Sequence, residues 1–193
     1  MTLTHAISVE RAEAIGPADL AQLCEAVNAA IAEGGGFGWV EAQSRTALER
    51  HFRGALLVPE RELFLARLDG EVVGSAQLVR PPRNNEAQAF SAQLNHAFIA
   101  PYARGFGLAR LLVRRLEERA ASIGIRVLNL DVRATQESAI ALFEGLGYTR
   151  WGMHPAYARV NGQTVAGYFY YRLLEVPGGR PTGRALGKLR GGA

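Results

Sequence analysis

The stretch Leu94-Asn-His-Ala-Phe-Ile-Ala-Pro101-Tyr-Ala-Arg104-Gly-Phe-Gly107-Leu-Ala109 decides how this chain folds. It reads as a strand over 93–100 that Pro101 ends, because proline cannot donate to a ladder. A turn carrying Gly105 and Gly107 follows, and a helix opens directly out of it. Such a turn aims several backbone N–H groups at one point, and the helix dipole adds positive potential there. A diphosphate suits that point.

Working outward, Gly107 to Ile123 is an amphipathic helix with Leu108, Leu111, Leu112, Leu116, Ala120 and Ile123 on one stripe. Gly124 ends it. Ile125 to Val132 is apolar enough to predict a strand buried on both faces. A right-handed parallel crossover should join the two strands flanking the helix. A short helix over 137–146 stops at Gly147, and strands follow from Tyr148 and over 164–173, turning at Asn161-Gly162. Upstream, a strand at 7–11 precedes a helix opened by Gly16-Pro17, with Leu20, Leu23, Val27 and Ile31 at helical spacing. Gly34-Gly35-Gly36 breaks it, Ser44 caps a second helix running through His51, and Asp69-Gly70 joins strands over 62–67 and 71–79. The expected class is α/β, a mixed sheet (α+β in its pairing) with helices on both faces.

A chain of 193 residues suits one domain. We read 1–176 as that domain and 177–193 as a basic tail. The tail carries Arg180, Arg184, Lys188 and Arg190, so the net charge of +4 leaves the remainder near zero (4 − 4 = 0). A solvated tail needs no nucleic acid, which is not expected as a partner. No apolar run can span a bilayer, and no signal peptide is evident. The lone Cys24 excludes an intrachain disulfide and points to the cytoplasm. One cysteine and four histidines make a metal site improbable, and none is expected.

Two phosphate-binding patterns fail against residues 104–110. A P-loop requires Gly-Lys-Ser/Thr, which Leu108-Ala109-Arg110 lacks. A dinucleotide fingerprint places a small residue where Arg110 stands. The pattern Arg104-x-x-Gly107-x-Ala109 instead resembles the acetyl-CoA loop of the GNAT superfamily of N-acetyltransferases. Its context matches too: the strand ends at Ile99-Ala100-Pro101, and Ala139-x-x-Leu142-Phe143-x-x-Leu146-Gly147-Tyr148 is similar to a second family signature. Short pieces, among them Ser75–Leu78, Tyr148–Arg150 and Pro155-x-Tyr157, look closest to tabtoxin-resistance-type acetyltransferases. The resemblance spans about 7–174.

The resemblance implies the GNAT acyl-CoA N-acyltransferase fold and acetyl-CoA as co-substrate. Backbone N–H groups of Arg104, Gly105, Phe106, Gly107, Leu108 and Ala109 should hold the pyrophosphate, with the Arg104 side chain adding charge. Phe98, Ile99 and Ala100 should pair with the pantetheine arm as an added strand. Gln136 stands for the family's loop asparagine, and Phe143 for its leaving-group tyrosine, without a proton to give.

Acetyl transfer to an amine also needs proton transfer and a neutral nucleophile. Strand alternation places Gln93 and Asn95 on the face of Ile99, where amides can bind acceptor but cannot serve as a base, and turns His96 away. Asp131 is then the leading acid–base residue, with a structural carboxylate as the alternative. Tyr148 and Tyr157 are the possible acids; Tyr148 reads better as strand core, and Tyr157, in the loop that the resemblance implies closes over acceptor, also suits binding. Trp39 and Trp151 could line the pocket. The expected activity is direct acetylation of a primary amine on a small molecule. A non-catalytic acyl-CoA sensor or scaffold and a protein acetyltransferase stand as alternatives, and exposed sheet edges allow two copies to pair.

Overall fold

In a computed structural model, residues 4–35 and 38–175 are described. The expected tail, and Gly36 of the glycine loop, lie outside them. The elements run β1 (Ile7–Ala12), α1 (Pro17–Ala32), α2 (Arg45–Leu56), β2 (Arg61–Leu68), β3 (Glu71–Val79), β4 (Ser91–Ile99), α3 (Leu108–Ser122), β5 (Val127–Arg133), α4 (Glu137–Gly145), β6 (Thr149–Val160) and β7 (Gln163–Leu173). Seven strands form one sheet in the order β1-β2-β3-β4-β5-β7-β6, in which β4 and β5 are the parallel pair. The Asp69-Gly70 and Asn161-Gly162 turns both hold two consecutive positive φ angles, of 51° and 90° and of 51° and 78°. Those are type I′ hairpins, as the dipeptides predict.

Each face of the sheet carries its own core. On β2, Phe64 and Ala66 pack under α3, while Leu63 and Leu65 pack under α1 and α2. The stripe Leu108, Leu112, Leu116 and Ala120 of α3 is at most 1% exposed, and each such leucine contributes about 2 kcal/mol of burial. On the opposite side, Leu20, Leu23, Val27 and Ile31 of α1 join Leu48 and Phe52 of α2. Ser44 caps α2 by accepting from Ala47 N at 3.2 Å, and the helix continues past His51 to Leu56.

Two expectations about strand faces need correction. β5 is not buried on both faces: Leu128, Leu130 and Val132 enter the α3-side core, while Asp131 is exposed and Asn129 and Arg133 half-exposed. The simple alternation expected along β4 also fails. Ser75 pairs with Phe98 but Gln77 pairs with Asn95, so three steps on β4 oppose two on β3. The extra residue is a bulge centred on His96, which adopts φ 53°. It reverses the parity, so that Leu94 and Ile99 share one core while Phe98 and Ala100 enter the other. Gly74 makes the crossing possible, because a Cβ there would lie 2.6 Å from Ile99 Cδ1 and against the Phe98 carbonyl.

Candidate active site

The β4–β5 ladder ends at Gln93 and Asn129. Beyond that point the two strands diverge, and a cavity of about 580 Å³ opens between them, walled by Asn95, His96, Asp131, Arg133 and Tyr157 among others. A second cleft of about 310 Å³ runs along Ala97–Ile99 toward Arg104, Ala109 and Leu112. The two spaces share walls at Gly35, Ala97, Gln136, Ala139 and Phe143. A long, narrow ligand could therefore lie in the second cleft and present its end in the first.

The second cleft suits an acyl-CoA. Gly105 and Gly107 adopt φ 88° and 82°, the left-handed region where glycine is unstrained, and Gly107 is the residue before α3. Neither glycine has a heavy atom within 4 Å of where its Cβ would stand, so the loop leaves open space beside the first free N–H groups of α3. Leu108 is buried in the core, and Ala109 lines the cleft. Phe106 lies against the His5 ring, with centroids 4.8 Å apart. The Arg104 guanidinium, expected to face phosphate, instead pairs with Glu33 at 2.7 Å, and Arg104 Nε donates to the Ile99 carbonyl at 3.4 Å.

The segment after α1 crosses both spaces. The Gly34 carbonyl accepts from Arg133 at 3.0 Å and from Gln136 at 2.8 Å, so the Gln136 side chain spends a donor on this loop. Farther along, Asn28 clasps Gln43 through two backbone bonds of 2.9 Å.

Within the larger cavity, Tyr157 Oη donates to Asp131 Oδ2. The two candidates for proton transfer are thus in contact. Tyr157 gets there through an irregularity in β6, where four steps from His154 to Ala158 oppose two on β7. Its ring rests on Gly167 and edge-on to Phe169 at 5.9 Å. Burial, then the Asp131 carboxylate, push the Tyr157 hydroxyl well above its usual range, so it stays protonated at neutral pH.

The remaining candidates fall out differently. Asn95 lines the cavity and Gln93 does not, because Gln93 is still paired in the β4–β5 ladder and Asn95 lies past its end. His96, expected to turn away, is on the cavity wall. Its ring lies 5.4 Å from His51, which stands 4.9 Å from Trp39. Burial first, then His51 and Arg61, hold His96 down at about 4 against the opposite pull of Asp131. Trp39 lines the cavity, whereas Trp151 is 64% exposed and packs on Phe169 outside it. Phe143 is 5% exposed and borders both spaces. Sequence reasoning did not single out Arg133 or Arg159, which line the cavity, and it set His96 on the wrong face. Gly74 inside the strand over 71–79 was the available sign that β3 and β4 approach irregularly.

A family model described as the acetyltransferase (GNAT) family matches residues 28–148, a stretch that contains the glycine turn, α3, β5 and α4. The chain belongs to the GNAT family of N-acetyltransferases. It is 55% identical, over 130 residues covering 67% of this chain and 77% of the relative, to an uncharacterized N-acetyltransferase of the hisH-hisA intergenic region of Azospirillum brasilense. It is 31% identical to the N-alpha-acetyltransferase RimI of Mycobacterium tuberculosis, over 58% of this chain and 66% of that one. A phosphinothricin acetyltransferase from Sinorhizobium meliloti, solved with acetyl-CoA, shares the fold at a TM-score of 0.71, with 23% identity over 91% of this chain and 93% of its own. Among the described residues, no helix is long and apolar enough to cross a membrane.

Proposed function

We propose that this GNAT protein moves the acetyl group of acetyl-CoA onto a primary amine of a small molecule. The observation that carries the reading is the Asp131–Tyr157 contact on the wall of a cavity that adjoins the apolar cleft at the diverging strands. A cavity of about 580 Å³ has room for a small acceptor. A cytoplasmic setting belongs to this reading and rests on the single, buried Cys24.

Bound acetyl-CoA supplies an activated thioester, whose carbonyl carbon forms the new C–N bond as the C–S bond breaks. Main-chain N–H groups of residues 104–109 position the diphosphate end, and the β4 edge at Ala97–Ile99 orients the arm. Asp131 orients the amine and takes the proton that the nitrogen loses. Tyr157, hydrogen-bonded to Asp131, gives its proton to the departing sulfur as it takes up the one that Asp131 has received, so both side chains end in their starting states. No covalent enzyme intermediate is required, and Cys24 is buried in α1, away from either space.

Incubation with acetyl-CoA and a panel of amines, read by free-thiol release, tests the proposal. Amine-dependent thiol release is the expected result. Binding of CoA without turnover of any amine would favour a sensor or scaffold instead, a reading kept in view by the missing hydroxyl at Phe143.

A further inference from the structure

The charges around the acceptor cavity point past an unspecified amine. Asp131 and Arg133 are two residues apart on β5 and share a face, which puts their backbones about 6.6 Å apart. Both line the larger cavity, and Arg159 of β6 lines it too. Arg133 is close enough to act electrostatically on the Tyr157 hydroxyl. Among the described residues, the Arg159 side chain makes no hydrogen bond or ion pair, whereas Arg104, Arg119 and Arg172 are each matched to a glutamate. The cavity therefore presents one carboxylate beside two guanidinium groups, of which that of Arg133 also donates to the Gly34 carbonyl at 3.0 Å.

That balance disfavours an acceptor whose only charge is positive. It favours one that brings a negative group of its own. Guanidinium matches carboxylate with paired, charge-assisted hydrogen bonds, while Asp131 and Tyr157 stand on the side of the proton transfer. Part of the remaining wall, at Trp39, Val40 and Val160, is apolar.

We propose that the acceptor is an amino acid, its amine directed to Asp131 and its carboxylate held by Arg133 and Arg159, with an apolar side chain facing Trp39. This rests on the N-acetyltransferase reading above. A carboxylate two or three bonds from the amine fits the short spacing between Asp131 and Arg133. Decarboxylation or amidation of the acceptor removes the group that the guanidiniums recognise and leaves the nucleophile intact.

The test compares the common amino acids with their carboxamides and their decarboxylated amines, using the full chain and acetyl-CoA, with kcat/KM as readout. The free amino acids with apolar side chains should exceed their neutralised analogues by about tenfold or more. Arg159→Gln should lower that ratio by about tenfold, and Arg159→Lys should restore part of it. Calorimetric binding of CoA to each variant shows that the fold is retained. Equal or better turnover of the decarboxylated amines overturns this inference and leaves the acetyltransferase reading intact. Failure of every amine, with CoA still bound, overturns that reading and this inference together.

Discussion

The Tyr157 ring occupies the space that a Cβ on Gly167 would need: Cγ, Cδ1 and Cδ2 all fall within contact of that position. The hydroxyl at the far end of the same ring reaches Asp131. An alanine at 167 would therefore act on the proton-transfer pair by displacing the Tyr157 ring, with neither member itself substituted. In Gly167→Ala the ring must lift away from β7. We expect kcat to fall about tenfold or more as the Asp131 contact is lost, with strain of about 1–3 kcal/mol visible in thermal melting. Tyr157→Phe should reproduce the kcat loss without the strain. Full activity in both variants would remove Tyr157 from the mechanism.

Asp131→Asn keeps the shape of the side chain and an oxygen for Tyr157 to bond, but cannot take up the proton. The expected loss in kcat is about 10²–10³-fold, with the dissociation constant for acetyl-CoA unchanged by calorimetry. A loss confined to acceptor KM would reassign Asp131 to binding alone.

The glycine turn can be probed at Gly105, whose φ of 88° strains any other residue. Gly105→Ala should cost about 1–2 kcal/mol of conformational strain and weaken CoA binding several-fold, because the added methyl also stands where the diphosphate approaches. Gly124, with φ 85° at the far end of α3, provides the control. Gly124→Ala should lower the melting temperature similarly while CoA affinity stays the same.

Arg104 and Glu33 form an ion pair in which both side chains are about half exposed, at 48% and 54%, so the pair itself adds little stability. Its consequence would lie in binding, since Glu33 sets a negative charge beside the turn proposed to hold the diphosphate and occupies the guanidinium. Glu33→Gln should tighten CoA binding by a few-fold at low ionic strength, and the difference should shrink as salt is raised. Weaker binding in the variant would show instead that Glu33 is needed to place Arg104.

Stability should fall in mild acid. His96 is held at about 4 by burial, His51 and Arg61, and His51 is lowered by burial and Arg61. The unfolded chain, with histidines near 6.5, binds more protons than the folded one between these values. Stability is therefore fully present above about pH 6.5 and is lost as pH falls through the folded pKa. The His96 contribution is about 3 kcal/mol over that window. Urea unfolding at pH 7 and pH 4.5 measures it, and His96→Gln should flatten the profile. An equally steep profile in that variant would place the acid sensitivity elsewhere.

Much of the scaffold was legible because its signals are local. The α3 stripe of Leu108, Leu112, Leu116 and Ala120 follows a helical period over contiguous residues, and Asn161-Gly162 and Asp69-Gly70 state their turns in two residues each. The glycine turn was legible for the same reason, since Pro101, Gly105 and Gly107 set its backbone within one short stretch. Both proton-transfer candidates were named from sequence as well. Reading alternation through β4 failed at His96 because a bulge is set by the partner strand, and a period of two cannot register an extra residue.

From its sequence alone, the chain determined the order of its elements, the glycine turn that suits a diphosphate and the apolar faces that close the sheet between helices. Those follow from backbone preferences and spacing, which act between near neighbours. Tertiary structure decided which side chains meet. It brought Tyr157 onto Asp131 across 26 residues, turned His96 into the cavity beside His51, and set Arg159 on the same wall as Arg133. Such pairings come from strand register and close packing between distant segments, which no local pattern carries.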